Sequence, residues 1–472
     1  MIDGFARNPS VSPGDELQLC VATDAPAFRV ELYRWGAETA CVDQTGWLDG
    51  RPAPHHLPFH DWACDNIGLR GEDLAAWPSY AIPIDADCEP GVHVAVLVES
   101  GNGPTPPDDQ PAVPSLDART GRALFVVRDA APAAGTSILY KLPLLTWHAY
   151  NQVGARPYDP ATGAGGWCLY TVPPPADVPV AVPPTVSVQR PGGGTGGAPF
   201  DTFNVDPLDP RTPRQTFIHW DARAVAWLER HGYRVDYCTD LDLSDSGGRD
   251  LLAGYRLLLS FGHDEYYSEP MRSAIERFVA DGGNAAFFCG NTCWWQVTFD
   301  EPFAFQRLRH WWEEPFPGRP ENALTGVSFR HGGERPAAAA RTPPVGFAVQ
   351  HADHWVYDGT GLGDGDRFGD APDERLVGYE CDGARFDRES LRRSGPVAPS
   401  GDDGTPEDFT ILGVGDVGAS GWGEGNRAAT LGVHAPRGTV FTASTTDWPR
   451  LLAQGSPVVE RMTHNVLERL GG

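Results

Sequence analysis

Residues 255–290 carry the most restrictive pattern in the chain: the apolar run "YRLLLSF", the stretch "EPMRSAIERFVADGG", and a second apolar run "NAAFFCG". In the middle stretch apolar residues recur at i, i+3, i+4 and i+7, as on one face of a helix, while the flanking runs are short and mostly apolar. Two buried strands joined by one helix lie parallel in the same sheet, because the crossover between them is right-handed. The motif extends in both directions. "SILYKLPLLT" (137–146) predicts a strand, "DARAVAWLERHGYRVDYCTDLDL" (221–243) a helix stopped at Gly232 and then a strand, and "GTVFTAST" with "SPVVERMTHNVLERL" a closing strand and helix. An α/β core, a parallel sheet flanked by helices, is therefore expected over 131–472. Its Gly-, Asp- and Pro-rich part, 300–435, is expected to be a β- and loop-rich insertion covering the site. Residues 1–130 differ: "ELQLCVAT", "AFRVELYRWG", "GVHVAVLVES" and "RALFVVRD" are strand-like runs between turn signals, which predicts an Ig-like β-sandwich domain. The whole is α+β and multidomain.

Charge excludes some partners. With 63 acidic against 37 basic residues the formal net charge is -26, a surface that repels phosphate backbones and anionic membranes. Lys141 is the sole lysine in the sequence, so there is no phosphate-binding GxxxxGK[ST] loop and any Schiff-base chemistry would have to use that residue. The 9 cysteines are scattered without a CxxC pair, which fits free thiols, and the start "MIDGFARNPS" has no apolar signal core. A cytoplasmic protein is expected.

In open α/β sheets, ligands bind beyond the carboxyl ends of the strands. That edge should receive His263, Asp264, Glu265 and Tyr266 from "GHDEYYSEP", Asn291 from the next strand, and Trp147, His148, Tyr150 and Asn151 from "TWHAYN", here taken to follow a strand over 138–145. Ser268 is placed as the cap of the following helix, with Glu269 in its first turn.

The motifs "TWHAYN" (146–151), "GGWCLYT" (165–171), "VSVQRP" (186–191), "GHDEYY" (262–267), "GGNAAFFCGNTCWW" (282–295), "HWVYDGTGL" (354–362) and "VGYECD" (377–382) occur in the order expected of one family. Together with "VELYRWG" near the N-terminus, the sequence resembles the large (beta) subunit of N,N-dimethylformamidase over nearly its whole length. The resemblance implies a metal-dependent amidase, a hydrolase of non-peptide C–N bonds, with a mononuclear iron, Fe(III), held by two tyrosines and a glutamate. Carried over by motif, the metal ligands are Tyr150, Glu265 and Tyr170, with Tyr158 as the alternative second tyrosine. His263, Asn291 and Glu380 match pocket-lining positions and are the candidate catalytic residues. The substrate implied is an amide- or formamide-like small molecule, with a homo-oligomer and a small partner subunit both left open. Phenolates and a carboxylate are hard oxygen donors suited to a hard cation, which would act as Lewis acid and hydroxide generator.

Other readings stand beside this one. The α/β core also resembles glutamine-amidotransferase-like folds, and Cys289 with His263 would make a thiol hydrolase, although "FFCGN" lacks the sharp turn that exposes a nucleophile. The same Lewis acid could serve a cyclisation or rearrangement in specialised metabolism, or the chain could be a catalytically inactive binding protein. "HHLPFHDW" (55–62) is read as a surface loop and "DGTGLGDGDRFGD" (358–370) as a turn lacking the calcium-loop glutamate spacing.

Overall fold

The computed structural model describes residues 2–53, 66–67, 71–100, 120–129, 132, 135–151, 169, 185–194, 206–209, 212, 214–245, 247–301, 303–313, 318–335, 343–387, 389–390, 395–418 and 427–472. They form a mixed α+β, multi-sheet protein with two compact units. One comprises residues 1–133, 144–242 and 297–308, and the other 134–143, 243–296 and 309–472.

Two sheets make up the N-terminal part of the first unit. One has the strands Ile2–Ala6, Glu16–Thr23 and Ser79–Pro83; the other has Ser10–Val11, Thr120–Val127, Gly91–Glu99, Ala27–Trp35 and Ala40–Gln44, with Leu48–Asp49 also paired to Ala27–Trp35. Pairing is antiparallel except where Ser10–Val11 runs parallel to Val126–Val127. Alternate residues point inward: Leu17, Leu19 and Val21 from the first sheet meet Phe28, Val30, Leu32, Leu97 and Phe125 from the second in one buried cluster. The four strands expected from sequence in this region are all present.

The second unit is organised by a larger sheet. The strands Ile138–Leu142, Leu257–His263, Asn284–Gly290 and Val440–Thr442 run parallel in that order. Ala429–His434, Thr410–Gly415, Phe347–Val349 and Arg367–Phe368 continue it antiparallel. The sheet is thus mixed, not wholly parallel, because strands of the 300–435 segment pair onto its edge. Aromatic rings tie the parallel half together on one face: Tyr140 stacks on Phe261 (centroids 5.4 Å apart), Phe261 on Phe288 (4.7 Å), and Phe288 packs against Phe441 (5.1 Å).

The helix Glu269–Ala280 follows its sequence pattern: Met271, Ala274, Ile275, Phe278 and Val279 are buried, and Ser268 Oγ accepts the Met271 N–H at 3.2 Å as the cap. The strand begun at Ile138 stops earlier than expected, at Leu142. Pro143 cannot donate to a ladder and suits a helix entry, so Leu144–Ala149 is a short buried helix, and "TWHAYN" does not extend from a strand. The described cysteines are all free, and no helix among the described residues is long and apolar enough to cross a membrane.

Beneath the parallel strands lies a fully buried ion pair. Lys141 Nζ sits 2.7 Å from Asp264 Oδ1, while Asp264 Oδ2 accepts the hydroxyls of Ser260 at 2.5 Å and Tyr267 at 2.7 Å. Burial, then the Asp264 charge, pushes the Tyr267 phenol well above its ordinary pKa, so it remains a neutral donor. Removing one member of such a pair strands the other charge. Lys141→Met is expected to destabilise this unit by roughly 3–5 kcal/mol. A lowered denaturant midpoint measures it, and Lys141→Met with Asp264→Asn together should recover part of the loss.

Candidate functional site

The site in the second unit is assembled at the carboxyl end of the parallel strands. His263 closes one strand and is paired in register with Gly290, which closes the next. Gly262, at φ 73, kinks the backbone just before His263, a left-handed conformation that glycine adopts without a Cβ penalty. After Gly290 the chain turns through Asn291 (φ 51) and Cys293 (φ 57). The Cys293 and Trp295 N–H groups then donate to the carbonyls of Asp264 and Glu265, each at 2.9 Å. The 291–295 turn and the Asp264–Glu265 pair therefore hold each other in place.

Glu380 arrives from farther along the chain. Its strand, Glu380–Gly383, pairs with Ser328–Glu334 and also lies along the segment leaving the strand Val440–Thr442. Asp382 N–H donates to Ser444 O at 3.1 Å, and Thr446 N–H donates to Glu380 O at 3.2 Å. Asp447 Oδ2 accepts the N–H groups of Gly378 (3.2 Å) and Tyr379 (2.9 Å), fixing the approach. Gly290 permits this packing, since a Cβ there would come within 2.7 Å of the Glu380 carbonyl.

Four side chains meet as a result, none more than 3% exposed: His263, Glu265, Asn291 and Glu380. His263 Nε2 is 2.7 Å from Glu380 Oε2 and 3.6 Å from Glu265 Oε2, and Asn291 Nδ2 is 3.5 Å from the same nitrogen. Burial alone would lower the pKa of His263, but the Glu380 carboxylate, with Glu265 and Asp264 behind it, outweighs burial and holds it above the ordinary value. Burial alone would raise Glu380, and His263 outweighs it in turn, holding that carboxyl low. The two directions describe a charged pair. Glu380 Oε2 faces His263 without hydrogen-bond alignment, and Asn291 Oδ1 has no hydrogen-bond partner among the described residues. The Asn291 Oδ1, a buried oxygen without a partner, is what a cation or a donor from a ligand would satisfy.

The structure brings His263, Glu265, Asn291 and Glu380 together. Tyr150 belongs to the first unit, where it directly follows the helix Leu144–Ala149, is buried, and donates its N–H to Thr146 O at 3.3 Å. Tyr170 and its alternative Tyr158 lie outside the described residues. Cys289 is fully buried against Thr292 Oγ1 at 3.2 Å, and burial followed by the Asp264 charge pushes its thiol well up, the opposite of an activated nucleophile. No three His, Cys, Asp or Glu side chains among the described residues are arranged to hold a metal ion, so a metal here would need other donor types as well.

Sequence reasoning missed Asp382. Its Oδ2 accepts the Thr292 N–H at 3.1 Å, clamping the turn that carries Asn291, and its Oδ1 has no hydrogen-bond partner among the described residues. Burial, with Thr292 opposing it and the charges of Glu321 and Glu380 adding to it, pushes this carboxyl up to about 7. The only signal in the sequence was its place two residues after Glu380.

A family model described as N,N-dimethylformamidase beta subunit-like, C-terminal, matches residues 29–460. The chain belongs to this family. Its sequence is 27% identical over 201 residues to the N,N-dimethylformamidase beta subunit of an Alcaligenes species, covering 37% of this chain and 25% of that protein. The beta subunit of the same name from Paracoccus aminophilus is 28% identical over 201 residues, again 37% of this chain and 25% of the relative. The match thus spans about a quarter of the length of these curated relatives. The resemblance read from the seven motifs is borne out at the level of the family.

The charged pair has a definite pH window. Glu380, held low, contributes stability above its ordinary 4.5 and loses it as pH falls through the lowered value. His263, held high, contributes below its ordinary 6.5 and loses it as pH rises through the raised value. Replacing Glu380 by Gln removes the largest charge that opposes burial and leaves only Glu265 and Asp264, so the His263 pKa is expected to fall below its position in the parent protein. An imidazole NMR titration of metal-free protein reads this directly, and an unmoved pKa would contradict the pairing.

Proposed function

We propose that this chain is a cytoplasmic, iron-dependent amidohydrolase that cleaves the C–N bond of an amide- or formamide-like small molecule. The observation that carries the reading is the convergence of His263, Glu265, Asn291 and Glu380 at the strand ends of a chain in this family. Glu265, Tyr150 and Tyr170 are the proposed protein ligands of the iron. Glu265 fits a hard cation by its donor type, and the Asn291 Oδ1 beside it, without a hydrogen-bond partner among the described residues, fits a site that takes up a polar or charged group. When bound, the iron supplies Lewis acidity toward the substrate carbonyl.

The chain's own residues supply the rest. Asn291 Nδ2 donates toward the carbonyl oxygen as negative charge develops there, in a site too dry for water to do so. Glu380 takes the proton of the attacking water, His263 gives its own proton to the departing nitrogen, and transfer of one proton from Glu380 to His263 across their contact restores the pair. Asp382 fixes the Thr292 N–H, and with it the direction of the Asn291 amide. The finer fold readings, Ig-like for the N-terminal sandwich and glutamine-amidotransferase-like for the α/β core, belong to the same proposal. The paired antiparallel sheets and the parallel half-sheet support them. The name of the curated relatives supports assembly with further subunits.

Glu265→Ala is expected to abolish bound iron while circular dichroism and the unfolding transition stay near those of the parent; full metal retention would overturn the ligand assignment. His263→Ala is expected to keep iron but lower kcat by roughly 10²–10⁴-fold, measured as amine release from N-alkylformamides and short amides. No release from any of these by iron-loaded protein would count against hydrolysis.

A further inference from the structure

A second cluster of chemically active side chains lies in the first unit, within the β-sandwich. There a cavity of about 350 Å³ is lined by Cys88, His93 and the carboxylates of Asp43, Asp85, Asp87 and Glu89, over an apolar floor. His93, on the strand Gly91–Glu99, is 1% exposed. Its Nδ1 is 3.2 Å from Gly91 O, and a carbonyl can only accept, so the ring proton is on Nδ1 and Nε2 carries the lone pair. That lone pair faces Cys88 Sγ at 3.7 Å.

The geometry points to a binding site for a thiophilic divalent cation of the zinc class, with Cys88 Sγ and His93 Nε2 as its two protein anchors. Three observations carry this. First, a zinc-type ion takes sulfur at about 2.3 Å and imidazole nitrogen at about 2.0–2.1 Å, so two donors at a tetrahedral angle are roughly 3.5–3.6 Å apart. The pair, at 3.7 Å, needs only a slight approach or a slightly wider angle to reach that spacing. Second, a backbone carbonyl that fixes the tautomer of a histidine is the usual outer partner of a metal-binding imidazole. Third, the cavity wall is anionic, and the guanidinium nearest to it, Arg34, is engaged by Glu89 (3.0 Å) and Glu229 (2.7 Å). No third His, Cys, Asp or Glu donor is pre-set around the same point among the described residues, so the remaining positions go to water or to a lining carboxylate that swings in.

The protonation state agrees. Burial pushes His93 down to about 4, so its imidazole is neutral at physiological pH. Burial and the Asp85 and Asp43 charges push the Cys88 thiol up, so it keeps its proton until a metal displaces it. Binding converts Cys88–SH to a metal thiolate and releases one proton to solvent.

The test is titration of the full chain with cadmium chloride, followed by the ultraviolet thiolate-to-cadmium charge-transfer band and by proton release. One equivalent should raise the band and release a proton; Cys88→Ser should abolish the band, and His93→Gln should weaken binding at least about tenfold. Cys41→Ser, an exposed cysteine that does not line the cavity, should change neither. Absence of the band in the parent, or its survival in Cys88→Ser, would overturn the assignment. Cys88→Ser is nearly isosteric and keeps the fold testable if His93→Gln does not fold. The proposed iron ligands include no thiol, so failure here leaves that reading untouched, and loss of iron leaves this one untouched.

Discussion

A carboxylate can be buried under the end of a sheet only if something neutralises it, and under this site that is Lys141. Its ammonium on Asp264 Oδ1, with Ser260 and Tyr267 on Oδ2, satisfies both oxygens of a side chain with no access to water. Asp264 is flanked by His263 and Glu265, so whatever fixes its side chain fixes the backbone from which both of those project. Its carbonyl also receives the Cys293 N–H, which ties in the turn that carries Asn291. Three of the four convergent residues therefore take their positions from one buried ion pair.

The fourth, Glu380, depends on a different device. Its strand is stitched across the segment leaving Val440–Thr442 by hydrogen bonds to Ser444 and Thr446, and Asp447 holds the residues just before it. The His263–Glu380 pair then joins the two assemblies electrostatically. Buried opposite charges at 2.7 Å tie the protonation of each to that of the other.

Much of this was legible in the sequence because it follows from periodicity. The helix Glu269–Ala280, its Ser268 cap and the two strands around it appear where apolar spacing and capping chemistry place them. So does the rule that ligands gather beyond parallel strand ends, which brought His263, Glu265 and Asn291 into one group. Glu380 entered by motif, since nothing local to "YECD" announces a strand laid across a sheet end. The antiparallel extension was hidden because 300–435 is dominated by Gly and Pro turns, and pairing onto an existing edge is a long-range event with no local period. Pro143 carried a plain signal, a strand stop and helix entry, that an apolar run on both sides obscured. Lys141 was conspicuous as the sole lysine, yet scarcity says what chemistry is missing, not which carboxylate a side chain meets.

The site also costs the fold something, and the cost is local. Asn291, Cys293 and Ser444 all have positive φ, sparsely populated for residues other than glycine, and each lies on a segment that builds the site. Asn291 Oδ1 and Asp382 Oδ1 are buried without a hydrogen-bond partner among the described residues, where an unmet polar atom costs about 1–3 kcal/mol. Scattered through a core, such features would be defects. Gathered on the ends of three adjacent strands, they describe a region held in place by its surroundings, above all by the satisfied Lys141–Asp264 network beneath it. A group that met those oxygens on binding would relieve the penalty, so occupancy and stability of this end of the sheet should rise together.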